Sequence, residues 1–289
     1  MATATERAIQ AVSTVAKRLG LTNFMPVVLA GYSNTLIRLA PHPIVARVAT
    51  ATSVSRDIGA VMAHEIAMAQ NLAEKSAPSV RVSALLPPGP HTELGLHLSF
   101  WEYADVQTER PTPAQTGAML RQLHDMLDHV SAAALQPLSP VHTAAAIAAG
   151  PRSDRLDTDS CRLVRTMFER TLNNICNLTA AHRPLHGDAH HGNLWVTPGG
   201  MIWGDLEDVC TGPIEWDLAA LTASSIALGR GRAAAEALAA YGKPYDSARL
   251  DVLIVARTLQ AVAWSLVALD SIDQNPRLLA RLAWLRERA

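Results

Sequence analysis

The sequence predicts an α+β fold with two lobes, a small antiparallel β-rich N-terminal lobe and a larger, mainly helical C-terminal lobe. Short β-type runs dominate between Val27 and Trp101, and long alanine- and leucine-rich segments with helical periodicity follow Tyr103. The chain has 289 residues, more than a single hydrophobic core usually holds. We therefore place the N-terminal lobe at residues 1–100 and the helical lobe at 105–289, joined by residues 101–104.

Five strands and two helices are expected in the N-terminal lobe. Turn-forming residues separate the first three β-type runs and favour antiparallel pairing of neighbours. The predicted strands are Val27–Ala30, Thr35–Leu39, Ile44–Ala49, Val80–Leu85 and Leu94–Trp101. Apolar residues at helical spacing predict a helix over Asp57–Lys75, which ends before a proline, and an amphipathic surface helix over Met1–Leu19.

Helical periodicity dominates the second half of the chain. The predicted helices there are Pro113–His129, Ser160–Ala181, Asp217–Leu228, Arg232–Tyr241, Ser247–Leu269 and Pro276–Arg288. A single β-hairpin is predicted, with strands Leu194–Val196 and Met201–Trp203 around a Pro-Gly-Gly turn. The segment Ala132–Asp159 is predicted to be an irregular connection.

Composition and charge favour a small-molecule partner. The formal net charge of -1 provides no global field to attract nucleic acid or an anionic membrane. The most apolar stretch, Val252–Leu269, contains Arg257 and Gln260 and is short for a bilayer span, which favours a buried helix. Three cysteines without CxxC spacing predict neither a disulfide framework nor a zinc site. We expect a cytoplasmic protein, and the oligomeric state stays open.

The predicted hairpin brings two oxygen-bearing side chains to its open end. Asn193 and Asp205 lie symmetrically about Gly199, so antiparallel pairing would place their Cβ atoms roughly 5 Å apart. An amide oxygen and a carboxylate at that separation suit Mg²⁺, which takes its other ligands from water and nucleotide phosphates. The sequence therefore predicts a magnesium site there.

A further carboxylate, Asp188, stands five residues before Asn193. A carboxylate base, an asparagine and a metal-binding aspartate together form a recurring solution for phosphoryl transfer. Taken alone, Asp188 and Asn193 are also typical of turns and strand ends, and Asp217 of a helix N-cap that contributes about 1 kcal/mol. The adjacent His190 and His191 lack companion ligands at zinc spacing and are interpreted as structural.

The order of these residues resembles the aminoglycoside phosphotransferase and choline kinase-like family, which shares the two-lobed fold of protein kinases. HGDAHHGN, from His186 to Asn193, is similar to the family's HGDxxxxN catalytic loop, although the family often has proline where His191 stands. Residues 204–207 resemble its metal-binding segment, and residues 212–219 resemble its G-P-x-x-x-D-L-A pattern. The resemblance implies Asp188 as catalytic base, Asn193 and Asp205 as Mg²⁺ ligands, and His186 and Asp217 as braces of the loop.

The resemblance extends to nucleotide-binding positions in the N-terminal lobe. Gly31, Tyr32, Ser33 and Asn34 look like the turn that covers the phosphates, and Arg47 with Glu65 looks like the cation–glutamate pair, with arginine in place of the lysine of protein kinases. Residues 100–104, with Trp101, Glu102 and Tyr103, look like the hinge whose backbone reads adenine. ATP is the expected phosphate donor, with GTP as an alternative.

The acceptor is expected to be a small-molecule hydroxyl. Acidic residues of the helical lobe suggest a cationic ligand such as an aminoglycoside or amino sugar: Asp154, Asp157, Asp159, Asp208, Glu215, Asp270 and Asp273. A sugar, choline or homoserine remains an alternative acceptor. A catalytically degenerate kinase that binds nucleotide as a regulatory scaffold is the non-enzymatic alternative, motivated by Arg47 and His191.

Overall fold

The computed structural model describes residues 3–31, 34–50, 57–131, 135–269, 272 and 274–289. The chain forms two compact units, one comprising Met1–Gln107 with Thr197–Glu207 and the other Thr108–Val196 with Asp208–Ala289. The predicted division placed residues 197–207 in the helical lobe. They join the first unit because Trp203 exchanges backbone hydrogen bonds with residues 78 and 80, each at 2.8 Å.

The first unit contains a five-stranded antiparallel sheet in the order β1-β2-β3-β5-β4. Its strands are β1 (Met25–Gly31), β2 (Asn34–Ala40), β3 (Ile44–Ala49), β4 (His91–Glu93) and β5 (Leu96–Glu102). Four of the five predicted strands are confirmed. A strand over Val80–Leu85 was wrong, because the Ser83 hydroxyl accepts the backbone N–H groups of Leu85 and Leu86 and bends the chain there.

Two helices complete the first unit. Helix α1 (Ala4–Arg18) begins with a capping box formed by Thr3 and Glu6, and its apolar face is fully buried in the core of the sheet. Helix α2 (Ile58–Glu74) begins at the N-cap Asp57, whose carboxylate accepts the Ala60 N–H at 3.1 Å. Both helices are where hydrophobic spacing predicts them.

The second unit is mainly helical. Its α-helices are α3 (Pro113–Leu127), α4 (Ser139–Ala149), α5 (Thr158–Cys176), α6 (Glu215–Ala227), α7 (Gly231–Tyr241), α8 (Ser247–Ala268) and α9 (Pro276–Arg286). All six predicted helices are confirmed within a few residues. The prediction of an irregular segment up to Asp159 was wrong, since α4 and a 3-10 helix (Pro151–Arg155) lie within it.

Short strands frame the segment that carries the predicted catalytic loop. Strands β6 (Arg183–Leu185) and β9 (Cys210–Gly212) form an antiparallel pair within the second unit, which the sequence analysis did not anticipate. Strands β7 (Leu194–Thr197) and β8 (Gly200–Trp203) form the predicted hairpin. The loop of residues 186–193 therefore starts directly after β6 and ends directly before β7.

Helix α8 packs against α4, α5, α6 and α9. It is the one helix among the described residues that is long and apolar enough to span a membrane, but 61% of its apolar window is buried inside the protein. Arg257 and Gln260 lie on its buried face. These features fit the predicted core helix.

Candidate active site

The loop between β6 and β7 begins with a glycine that the fold requires. Gly187 has φ +84°, and a Cβ at this position would lie 1.7 Å from the carbonyl oxygen of Asp208. A side chain is therefore excluded both by the left-handed backbone and by lack of space. The tight turn at Gly187 sets the direction in which Asp188 leaves the strand.

Asp217 in the first turn of α6 anchors this loop. Its Oδ2 accepts the backbone N–H of His186 and its Oδ1 accepts that of Gly187, both at 2.9 Å. The carboxylate is completely buried and also lies 3.0 Å from Nε2 of His124, whose Nδ1 is 2.9 Å from the Tyr241 hydroxyl. Because no side chain caps α6 and both Asp217 oxygens contact the loop or His124, Asp217 braces the loop instead of capping the helix.

His186 and Tyr241 complete the buried base of the loop. His186 is fully buried, and its Nδ1 accepts the Asp188 N–H at 3.3 Å. Burial is the main cause that raises the pKa of Tyr241 to about 12, so its hydroxyl remains protonated and available to His124. The only signal for this contact in the sequence is a Leu-His pair, Leu123–His124, on a predicted helix.

Asp188 itself is partly exposed, with 24% of its side chain accessible. Its Oδ1 forms an ion pair with the Arg257 guanidinium, while its Oδ2 lies 3.2 Å from Nδ2 of Asn193 and 3.4 Å from Nε2 of His190. Desolvation raises the pKa of Asp188, but the charges of Arg257 and His190 and their hydrogen bonds outweigh it and hold the pKa well below its usual range. Asp188 is thus an anion at neutral pH.

Arg257 is the site residue that sequence reasoning missed. It lies on α8, is almost fully buried, and also donates to Gln260 Oε1 at 2.7 Å and to the Gly187 carbonyl at 3.3 Å. Its guanidinium is 5.3 Å from the Trp216 ring, and the Trp216 indole N–H donates to the same carbonyl at 2.9 Å. The sequence did contain a signal for a functional arginine. Arg257 and Gln260 are polar residues one helical turn apart in an otherwise largely apolar helix.

The side-chain oxygen of Asn193, Oδ1, is the atom that could bind a metal ion. Its Nδ2 donates to the backbone carbonyl and to the carboxylate of Asp188, at 3.0 and 3.2 Å. Within the described parts of the chain, no donor contacts Asn193 Oδ1. The hydrogen bonds therefore orient the amide so that its oxygen, a hard ligand suited to Mg²⁺, is available.

In the first unit, Asp205 and Glu207 follow β8 and meet a buried arginine. Asp205 has φ +57°, a left-handed conformation that is uncommon for residues other than glycine. Its side chain is 38% exposed, and its Oδ1 lies 3.8 Å from Nη2 of Arg47. Glu207 forms an ion pair with the same Arg47 nitrogen. Asp205 keeps carboxylate surface accessible to a cation.

Arg47 lies on β3, opposite Leu36 of β2 and Ser99 of β5. Its side chain is 9% exposed and its Nη1 lies 2.5 Å from the Glu65 carboxylate, so the predicted Arg47–Glu65 pair is present. Desolvation lowers the pKa of Arg47, but the carboxylates of Glu65, Glu207 and Asp205 raise it overall. The Arg47 guanidinium therefore stays charged, and its ion pair with Glu65 joins β3 to α2.

Other predicted nucleotide-binding positions are only partly suited to that role. Ser33 lies outside the described residues, and Asn34 at the start of β2 donates to Glu207 at 3.5 Å. Trp101 is buried and its indole N–H donates to Ser99, while the backbone N–H groups of Glu102 and Tyr103 donate to Arg81 and Pro43. Hydrogen bonding of adenine through the last two N–H groups is therefore not available without rearrangement.

Of the two predicted metal ligands, Asn193 belongs to the second compact unit and Asp205 to the first. Their pairing across the hairpin stays a prediction. Among the described residues, no group of three or more His, Cys, Asp or Glu side chains is arranged to hold a metal ion. The two predicted ligands are an amide oxygen and a carboxylate. Such ligands suit an ion that takes most of its other ligands from water and phosphate, as Mg²⁺ does.

Positive charge surrounds the exposed end of the loop in the second unit. Desolvation lowers the pKa of His191, and the charges of His190, Arg110, Arg230 and Arg277 lower it further. Each described residue of the acidic set that suggested a cationic ligand has a partner within the protein or is buried, and Asp154 and Asp159 also remain largely exposed. Asp154 and Asp159 face Arg165 and Arg162, Asp157 caps α5, Glu215 binds Arg249, and Asp208 is buried.

The family model described as phosphotransferase enzyme family (APH) matches residues 27–253 of this chain. The match includes the loop after β6, Arg47, Asp205 and Asp217, and it ends in the first turns of α8, before Arg257. A comparison with curated protein sequences found no significant match.

Solved structures of small-molecule kinases have the same fold at low sequence identity. The amicoumacin kinase hAmiN, in complex with AMP-PNP, Ca²⁺ and Ami, has a TM-score of 0.69 at 15% identity, with 96% of this chain and 92% of that chain covered. The choline kinase LicA from Streptococcus pneumoniae has a TM-score of 0.64 at 13% identity, with 99% and 98% covered. The aminoglycoside phosphotransferase APH(3'')-Id from Streptomyces rimosus has a TM-score of 0.58 at 16% identity, with 86% and 97% covered.

Proposed function

The chain belongs to the phosphotransferase enzyme family, and we propose that it transfers the γ-phosphate of ATP to a hydroxyl group of a small molecule, with Asp188 as the proton acceptor. The observation that carries this proposal is the anchored loop: Asp217 fixes the backbone before Asp188, while Arg257 and Asn193 hold its carboxylate. Such rigid support is what a general base needs.

Asp188 acts on the acceptor hydroxyl. The hydroxyl donates to the carboxylate, its oxygen attacks the γ-phosphorus, and the bond from that phosphorus to the leaving ADP oxygen breaks. The acceptor proton passes to Asp188 and then to water. A carboxylate whose pKa is depressed is a weak base, which suits a loose transition state in which the proton moves late.

Arg47 supplies a fixed cation for the phosphates of the nucleotide. Its bond to the buried Glu65 restricts its rotamers, and its second nitrogen faces Glu207 and Asp205. An arginine serves here where protein kinases use lysine, because its planar fork can bind a carboxylate and a phosphate together. Its presence is therefore compatible with catalysis and gives no separate support to a degenerate scaffold.

Asn193 and Asp205 would hold Mg²⁺. When bound, the ion neutralises charge on the β- and γ-phosphates. We expect Asp205→Asn to require a higher magnesium concentration for half-maximal turnover, because an amide is a weaker ligand than a carboxylate. Asp105→Asn, at an exposed acid in the same unit, is the matched control. An unchanged magnesium requirement in Asp205→Asn would remove Asp205 from this role.

Magnesium-dependent ADP release tests the proposal as a whole. Purified protein would be assayed with ATP or GTP and a panel of hydroxyl acceptors that includes aminoglycosides, amino sugars, sugars, choline and homoserine. Release that depends on one class of acceptor and stops with a chelator supports the proposal. Tight binding of nucleotide without acceptor-dependent release across the panel would instead favour the regulatory scaffold.

A further inference from the structure

Helix α8 carries two polar side chains one turn apart, and one of them contacts the proposed catalytic base. Arg257 and Gln260 lie on the buried face of the helix, with 9% and 3% of each residue exposed. The side-chain oxygen of Gln260 accepts a hydrogen bond from Nη1 of Arg257 at 2.7 Å. Nη2 of the same guanidinium forms the ion pair with Asp188. Gln260 is therefore linked to Asp188 through Arg257.

A buried glutamine is an unusual choice for this position. Most of the other buried residues of α8 are aliphatic. A primary amide in such surroundings costs free energy unless it is hydrogen-bonded, whereas leucine would fill the same space at no such cost. The hydrogen bond to Arg257 offsets the cost of burying the amide. Packing alone therefore does not account for Gln260, but a contact with Arg257 does.

The contacts of Arg257 fix the direction of its guanidinium. Nη1 donates to Gln260 and, at 3.3 Å, to the Gly187 carbonyl. The Trp216 ring lies 5.3 Å from the guanidinium carbon. Because the guanidinium is planar and rigid, two hydrogen bonds on Nη1 also determine where Nη2 points. Nη2 is thereby aimed at Oδ1 of Asp188.

The neutral amide of Gln260 suits this arrangement better than a carboxylate would. A carboxylate at position 260 would attract the guanidinium by charge as well as by hydrogen bonding, and it would compete with Asp188 for Arg257. An amide oxygen accepts the hydrogen bond without adding a second negative charge. The charge of Arg257 is thus left to act on Asp188.

We propose that Gln260 is a positioning residue of the phosphotransfer reaction, which aims Nη2 of Arg257 at Oδ1 of Asp188 and so holds the proposed base in place. This inference rests on the proposed function. The place of the carboxylate sets its distance from the acceptor hydroxyl, and a displacement of about 1 Å can lower a rate about 100-fold. Gln260 acts through Arg257, so its effect belongs to the chemical step and not to substrate binding.

The kinetic test replaces the amide by an apolar side chain of similar size. With an acceptor identified by the ADP-release panel, Gln260→Leu is expected to lower kcat about 10- to 100-fold and to leave KM for ATP and for the acceptor unchanged. Gln122→Leu, at an exposed glutamine of α3, is the matched control and should keep wild-type turnover. A wild-type kcat in Gln260→Leu, or a loss confined to KM, would contradict the inference.

A double-mutant cycle separates positioning through Arg257 from a general loss of packing. Gln260→Leu should lower kcat no further in a protein that already carries Arg257→Met, because the group through which Gln260 acts is then missing. Additive losses would show that Gln260 acts by another route and would overturn the inference. If the leucine variant does not fold, Gln260→Glu takes its place. It keeps the reach of the side chain but adds the competing charge, so an unchanged kcat in that variant would also overturn the inference.

A crystal structure of Gln260→Leu decides the inference even if no member of the panel is phosphorylated. We expect the guanidinium of Arg257 to leave Oδ1 of Asp188 or to occupy several orientations, while the hydrogen bond from Trp216 to Gly187 remains. An Arg257–Asp188 ion pair that is the same in the variant and in the wild type overturns the inference. Absence of acceptor-dependent ADP release by the wild-type protein counts against the proposed function alone.

Discussion

At the scale of single residues, the Asp188–Arg257 pair sets the charge of the proposed base. The folded-state pKa of Asp188 lies below that of an unfolded aspartate, about 3.9. The stability that this pair contributes is therefore present above about pH 4 and is lost as the pH falls through the folded-state pKa. Arg257 keeps Asp188 ionised across the neutral range.

Removing Arg257 should change the pH dependence of turnover. In Arg257→Gln the pKa of Asp188 should rise, because desolvation is no longer outweighed by the guanidinium charge. We expect the acid limb of the kcat–pH profile to move to higher pH, and Arg257→Lys to restore part of the shift. A lower kcat with an unmoved acid limb would assign Arg257 a purely structural role.

The buried Arg47–Glu65 ion pair should contribute to the free energy of unfolding. Arg47→Met would remove the cation that pairs with Glu65 of α2, a carboxylate whose residue is only 2% exposed. Breaking a buried pair in this way costs about 3–5 kcal/mol, so the free energy of unfolding by urea should fall by that amount. The exposed pair Arg18–Glu93 is the control, and Arg18→Met should cost less than about 1 kcal/mol. Similar losses in the two variants would contradict this assignment.

At the scale of elements, the loop after β6 depends on a glycine and an anchor. Gly187→Ala would force a Cβ against the Asp208 carbonyl at 1.7 Å in a left-handed conformation. We expect a loss of 3 kcal/mol or more in unfolding free energy, about the size of other severe core defects, together with a large loss of turnover. Gly199→Ala, in the turn between β7 and β8 with no contact closer than 3.8 Å, should be nearly neutral.

Removal of the anchor, Asp217, should also lower the free energy of unfolding. Asp217→Ala leaves two buried backbone N–H groups and His124 without their acceptor. Each unsatisfied donor costs about 1–3 kcal/mol, so unfolding free energy should fall by several kcal/mol and hydrogen exchange at His186 and Gly187 should accelerate. Exchange rates that match the wild type at these two amides would show that another group holds the loop.

Helices were predictable because their ends carry local signals. Asp57, Thr112, Asp157, Asp246 and Asn275 all cap helices through their side chains, close to the predicted starts. Helix α4 was missed because its N-cap, Leu138, has a left-handed conformation and offers no side-chain cap. The false strand at residues 80–85 has β-type composition but only one bridge, through Val82, and no continuous ladder.

At the scale of the whole molecule, the family and the α+β fold followed from the order of motifs along the chain, whereas the charge environment did not. HGDAHHGN and the segments after it are local strings, but the Asp188–Arg257 contact joins residues 69 positions apart. No spacing rule links two such positions.

Nucleotide binding should be visible in the stability of the whole protein. A ligand present at 100 times its Kd stabilises the native state by about 2.7 kcal/mol. We expect Mg²⁺ with AMP-PNP to raise the unfolding midpoint of the wild-type protein and of Asp188→Asn equally, and to raise that of Arg47→Met less at the same concentration. A full shift in Arg47→Met would exclude Arg47 from the phosphate site.

The most direct test of the central claim compares kcat of Asp188→Asn with kcat of Asp251→Asn, an exposed aspartate of α8, using the best acceptor and saturating Mg²⁺ and ATP. Loss of a general base predicts a decrease of about 10²- to 10⁴-fold in Asp188→Asn, with unchanged AMP-PNP affinity and wild-type turnover in Asp251→Asn. Turnover of Asp188→Asn near that of the wild type would contradict the assignment of Asp188 as the proton acceptor.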